Sequence, residues 1–124
     1  MSAGRPSGRP LVHHELCFGC GRQNLFGLLA ELEPAGEDLV AGRCFLKQDH
    51  QGPKPGAVHP GILAAALAEA MSLAHGGDAS MRGLEVRFES ALAIGEFVEL
   101  EASPDEATAR SAGRRVASAR ATWG

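Results

Sequence analysis

The 124-residue chain has no long hydrophobic run. Its longest strongly apolar stretch, Ile62 to Ala74, is thirteen residues, short of the ~20 that a bilayer span requires. A membrane-spanning helix is excluded. The chain also lacks a basic stripe and an acidic tail: twelve Lys and Arg stand against fifteen Asp and Glu, for a net charge of −3. Nucleic acid, which is held by neutralising its phosphates, is therefore not an expected partner. Cysteine is scarce and odd in number, with only Cys17, Cys20 and Cys44, so reduced thiols are expected rather than a disulfide framework. The opening MSAGRPSGRP has neither the apolar run nor the cleavage site of a secretory signal. It reads as a flexible lead-in over residues 1–12, ahead of one domain over 13–124, and the expected location is cytoplasmic. Bulky side chains are few as well. With 21 Ala and 16 Gly, much of the nominal apolar content buries little area, and a core that thin favours association into at least a dimer.

What is present alternates strands with one helix. Leu25–Glu33 reads as a strand, PAGED as a turn and Leu39–Lys47 as a second, alternating strand, together an antiparallel hairpin. QDHQGPKPGAVHPG, residues 48 to 61, is a rigid non-repetitive loop. ILAAALAEAMSLAH follows, free of Gly and Pro and closed by Gly76 and Gly77, which predicts a helix with Pro60 and Gly61 at its start. Only Glu69 and Ser72 are polar between Ile62 and Ala74, so the helix should be enclosed on most sides. Leu84–Ala93, Phe97–Ala102, Ala107–Ser111 and Arg115–Trp123 add three or four strands, broken at Gly95, at Ser103 with Pro104, and at Ala112 with Gly113. The order predicts an α+β domain: an antiparallel sheet of five or six strands with one helix across a single face.

Three stretches then carry a resemblance: CFGCGRQNLFGL at 17–28, HQGPKPGAVHPGILAAALAEAM at 50–71 and LEVRFESALAIGEFVELEA at 84–102. In order and spacing they resemble the hotdog-fold acyl-CoA thioesterase superfamily of the His-Gly-Gly, PaaI-like and hydroxybenzoyl-CoA-thioesterase-like kinds. The resemblance implies a curved sheet wrapped around one central helix, and a thioester cleaved at the interface of a homodimer or homotetramer. The partner is then an acyl-CoA or related thioester, with no cofactor, no nucleic acid and no membrane. The family's His-Gly-Gly is here His59, Pro60, Gly61, which keeps the Gly whose amide polarises the thioester carbonyl. Unpaired amides at a helix start favour developing negative charge on physical grounds alone. The family's helix carboxylate, general base or nucleophile, falls nine positions after His59, at Ala68. Glu69 is the remaining acid, about 100° further around the helix. His50 and Gln51 occupy the loop where relatives place polar groups beside the carbonyl, and Leu63, Leu67 and Met71 are candidates for the pocket lining. The alternative is a hotdog protein that binds an acyl-CoA or acyl carrier without turnover, since Ala68 stands where the acid is expected.

Each sharp reading has a plainer rival. Glu69 has two: a solvent-facing helix carboxylate, or a partner of Arg82 or Arg87. His59 has the shaping of a turn. Arg114 and Arg115 point to opposite faces of a strand, so at most one reaches a CoA phosphate. Cys17 and Cys20, with His14 three residues earlier, have the spacing of half a zinc site. The candidates by type for a further ligand are His13, Cys44 and His50, none at a diagnostic spacing. The thiols are therefore read as packing groups with no metal assigned, and a small zinc-stabilised interaction domain stands as a further alternative reading of HxxCxxC.

Overall fold

The computed structural model describes residues 9–124, and the first eight residues of the expected lead-in lie outside the described chain. Six strands and one helix follow in the order β1 (Glu31–Gly36), β2 (Leu39–Phe45), α1 (Pro60–His75), β3 (Met81–Phe88), β4 (Phe97–Ala102), β5 (Glu106–Ser111) and β6 (Arg114–Trp123). They form one antiparallel sheet in the order β1-β2-β4-β5-β6-β3. α1 lies across its inner face, and its contacts run from β2 through β3. This is the expected α+β hotdog architecture, a curved sheet around one helix.

The inner face is built from alternate residues. Val40 and Cys44 on β2, Val98 and Leu100 on β4, and Ala107 and Ala109 on β5 are buried, as are Ala117, Ala119 and Ala121 on β6. α1 answers with Leu63, Ala66, Leu67, Ala70, Met71 and Ala74, a helical-period stripe that is buried against them. Alanine on both surfaces lets the helix seat close to β5 and β6. Eleven of the 24 buried hydrophobic residues are alanine and none is aromatic, so the core is as thin as the composition implies. Gly42 has the same logic at the backbone level. A Cβ there would lie 1.8 Å from the Glu31 carbonyl oxygen, so β1 can cross β2 only over a glycine.

Two strands differ from expectation at both ends. Leu25–Ala30 is not strand: Leu28 N–H donates to the Phe18 carbonyl and Ala30 N–H to that of Gly19. The CFGCG loop takes the hydrogen bonds that a neighbouring strand would otherwise accept, and β1 starts only at Glu31. β1 also runs on through Pro34, which sits tolerably on an edge strand beside a register shift. β3 begins three residues early, at Met81, and ends at Phe88, where Glu89 and Ser90 turn to the Val116 carbonyl. The helix is where the sequence puts it. His59 is its N-cap, Pro60 its first residue, and Gly76 its left-handed C-cap at φ 68°.

The helix is less enclosed than expected. Ala64, Ala65, Ala68 and Ser72 remain half-exposed along one side of α1. All five phenylalanines, Phe18, Phe26, Phe45, Phe88 and Phe97, are more than 40% exposed. No helix among the described residues is long and apolar enough to cross a membrane.

Candidate functional site

The start of α1 is shaped by its own cap. His59 is extended (φ −62°, ψ 131°), which turns its side chain over the first helical turn, and its Nδ1 accepts a hydrogen bond from Gly61 N–H at 2.8 Å. The amide named as carbonyl-polarising is thus held by the imidazole two residues before it. His59 therefore performs the turn-shaping role set out as its plainer reading. Any other acceptor reaches Gly61 N–H only by replacing that imidazole. The loop before the helix is fixed by further bonds: His59 N–H to the His50 carbonyl at 2.8 Å, and Gly56 N–H to Gln51 Oε1 at 2.8 Å. Beside it lies a cavity of about 380 Å³ bordered by Pro53, Val58, Pro60, Leu63, Phe88 and Leu92, more apolar than polar.

Of the proposed polar and lining residues, only some face that cavity. His50 is 2% exposed and accepts from Lys47 N–H through Nδ1 at 3.1 Å. Burial, then the Lys47 charge, hold its imidazole below the usual histidine range and so neutral. Gln51 is exposed and spends its side chain on the loop. Leu63 borders the cavity, whereas Leu67 and Met71 are sealed between helix and sheet with no exposed area. Arg115 is committed to Glu89 at 2.7 Å and Arg114 to the Ala91 carbonyl.

Glu69 is elsewhere. Eight residues along α1 from Gly61, about 12 Å, it is 8% exposed and paired with neither Arg82 nor Arg87. Its Oε2 lies 3.1 Å from His13 Nδ1 and its Oε1 accepts from Cys17 Sγ at 3.6 Å. A loop with no room to spare makes this possible. A Cβ on Gly19 would sit 2.3 Å from the Glu69 carboxyl carbon and Oε1, so the carboxylate occupies the space that a side chain at 19 would take. Cys17 and Cys20 are brought together by a tight turn, Gly21 N–H to the Cys17 carbonyl at 2.9 Å. Cys20 is buried, and its thiol is pushed up to about 12, first by desolvation and then by the nearby carboxylate. A second cavity of about 380 Å³ opens next to Glu69, bordered by Phe18, Ala65, Ala68, Ser72, Met81 and Trp123. Ala68, the position of the expected acid, therefore does face open space.

The histidine beside the thiols is His13. His14, singled out for its spacing, instead accepts from Leu16 N–H. His13 Nδ1 lies 3.5 Å from Cys20 Sγ and 3.7 Å from Cys17 Sγ, and its Nε2 is 3.1 Å from Ser72 Oγ on α1. Cys44 and His50 are far from this nest in their contacts: Cys44 Sγ donates to the Leu28 carbonyl. Spacing alone missed Ser72 and Gly19. The paired histidines just before CxxC were the available signal for His13.

No protein-family sequence model and no curated protein sequence matches the chain. Solved structures do. It superposes on a thioesterase superfamily protein with a TM-score of 0.74 at 25% identity, covering 84% of this chain and 60% of that one. It matches the PaaI protein of the Escherichia coli phenylacetic acid degradation operon with a TM-score of 0.68 at 13% identity, covering 76% of this chain and 77% of that one. A hypothetical thioesterase protein from Streptococcus pneumoniae, solved with coenzyme A, matches with a TM-score of 0.65 at 13% identity, over 76% of this chain and 84% of that one. The chain spans 60% of the first of these proteins. In architecture, then, the chain is a hotdog protein, built like the thioesterase-superfamily and PaaI structures it resembles.

Proposed function

We propose that the protein is a thioesterase-like hotdog protein whose ligand is an acyl-CoA or related thioester, taken up at the start of α1 between two copies of the chain. The observation that carries this is the apolar cavity at the first turn of α1, with Gly61 N–H exposed beside it and held only by a replaceable imidazole. A thioester carbonyl placed there meets the positive end of the helix, where amide donors stabilise the charge that develops on oxygen. Hydrolysis also needs a base. Glu69 is the only acid on α1, and a second copy related by a two-fold axis would bring its own Glu69 toward this Gly61 without requiring one chain to bridge about 12 Å. Glu69, Gly61 and His59 are the residues proposed for this chemistry.

A second reading has its own support. Glu69 is turned into the nest formed by His13, Cys17 and Cys20, and Ala68 lines the open cavity where a carboxylate would be free. Both favour binding without turnover. A panel of acyl-CoAs, scored for free thiol release and for binding by calorimetry, separates the two. Turnover that falls in Glu69→Gln supports the hydrolase, and tight binding with no thiol release supports the binder. Ala68→Asp is expected to raise thiol release at least about tenfold, which corresponds to roughly 1.4 kcal/mol of barrier. No binding of any acyl-CoA would reject both readings.

A further inference from the structure

The nest around Glu69 has a chemistry that neither reading of the thioester site uses. Its four side chains come from two places, His13, Cys17 and Cys20 from the N-terminal loop and Glu69 from α1. One potential ligand atom from each lies within 4.8 Å of all the others. The individual separations are 3.1 Å for His13 Nδ1 to Glu69 Oε2, 3.5 Å for His13 Nδ1 to Cys20 Sγ, 3.6 Å for Cys17 Sγ to Glu69 Oε1 and 3.7 Å for His13 Nδ1 to Cys17 Sγ. Zinc bonds of about 2.3 Å to sulfur and about 2.0–2.1 Å to nitrogen or oxygen set the corners of a tetrahedron roughly 3.3–3.8 Å apart. Those four separations already stand near the edges of such a tetrahedron, and Cys20 lies within 4.8 Å of Cys17 and Glu69.

From this geometry we infer a zinc site formed by His13 Nδ1, Cys17 Sγ, Cys20 Sγ and the Glu69 carboxylate, which pins the N-terminal loop to the central helix. Two thiolates, an imidazole and a carboxylate in a tetrahedral frame suit zinc over magnesium or calcium, which take oxygen ligands in larger numbers. Supporting contacts are in place. Ser72 Oγ lies 3.1 Å from His13 Nε2, and with the ring proton on Nε2, donated to that hydroxyl, Nδ1 presents its lone pair to the thiols. His13 N–H points at Cys20 Sγ at 3.1 Å, a donor suited to thiolate. Buried Glu69 Oε2 faces the His13 ring, 3.1 Å from Nδ1, and Gly19 leaves the gap through which the carboxylate enters. On binding, each thiol gives up its proton to solvent and forms a Zn–S bond, while the imidazole binds through Nδ1 and the carboxylate through an oxygen. The inference does not depend on the thioester reading, but it bears on it. A Glu69 bound to metal is not a free base.

The test is metal content and ligand spectroscopy on the full chain, purified under reducing conditions without added zinc. About one zinc per chain is expected by mass spectrometry, falling at least about tenfold in Cys17→Ser and in His13→Ala while Cys44→Ser keeps it. Cobalt titrated into the metal-stripped wild type should give the visible bands of a tetrahedral site with a thiolate-to-cobalt charge-transfer band. That arm needs no variant to fold. Cobalt spectra without thiolate bands would overturn the site, as would Cys17→Ser retaining full zinc or a wild type isolated with Cys17 and Cys20 reduced and without metal.

Discussion

His50 shows what one buried titratable group does to the whole chain. It is held neutral by desolvation and by the neighbouring Lys47 charge, with Asp49 acting weakly in the other direction. In the unfolded chain it regains the ordinary histidine pKa of about 6.5. The folded value is the lower one, so below the ordinary value the unfolded state binds the extra proton, and stability present at pH 7 and above is lost as the pH falls through that window toward the folded value. His50→Gln should flatten the pH dependence of the melting temperature between about pH 7 and pH 5. An unchanged slope would mean that another group dominates. Residue by residue, the sequence disclosed types better than partners. CxxC marked the thiols, but their histidine is His13 and their acid lies on α1, 52 residues from Cys17. No local spacing encodes a contact closed by the folding of a helix onto a loop.

At the scale of elements, the helix was the most legible because every signal agreed: formers throughout, Pro60 at its first position, Gly76 beyond its last turn. Leu25–Ala30 misled because a short apolar run reads the same whether its amides meet a strand or a loop carbonyl, and here Phe18 and Gly19 supply the acceptors. The β5–β6 hairpin was marked by Ala112 and Gly113, and both adopt positive φ, 52° and 78°. Such a two-residue turn matches strand twist, but the left-handed region suits Gly or Asn and costs an alanine about 1–2 kcal/mol. Ala112→Asn should therefore stabilise the protein, by up to about 1 kcal/mol. A rise in the urea midpoint with an unchanged slope is the expected readout, and a fall would mean that the turn is not strained at residue 112.

For the whole molecule, the uneven placement of ring side chains matters most. The core holds no aromatic residue, while every phenylalanine is exposed. β3 is an edge strand with one side unpaired among the described residues. Leu84 and Phe88 stand opposite Ala121 and Ala117 on its inner face yet remain exposed at the sheet margin. An edge strand with apolar side chains is a template for pairing, and a second copy would cover it together with the half-exposed side of α1. Leu84→Arg with Phe88→Glu should convert an oligomer into monomer in sedimentation equilibrium at micromolar concentration. A wild type that is already monomeric there would remove the two-copy arrangement on which the thioester reading depends.

Trp123 is the only tryptophan, and the chain contains no tyrosine. Its indole stacks on His75 with ring centres 4.3 Å apart, donates to the Pro104 carbonyl at 2.7 Å, and borders the cavity next to Glu69. Intrinsic emission excited at the indole band therefore comes from a single fluorophore placed where helix, last strand and cavity meet. Any molecule entering that cavity reports its own arrival without a label.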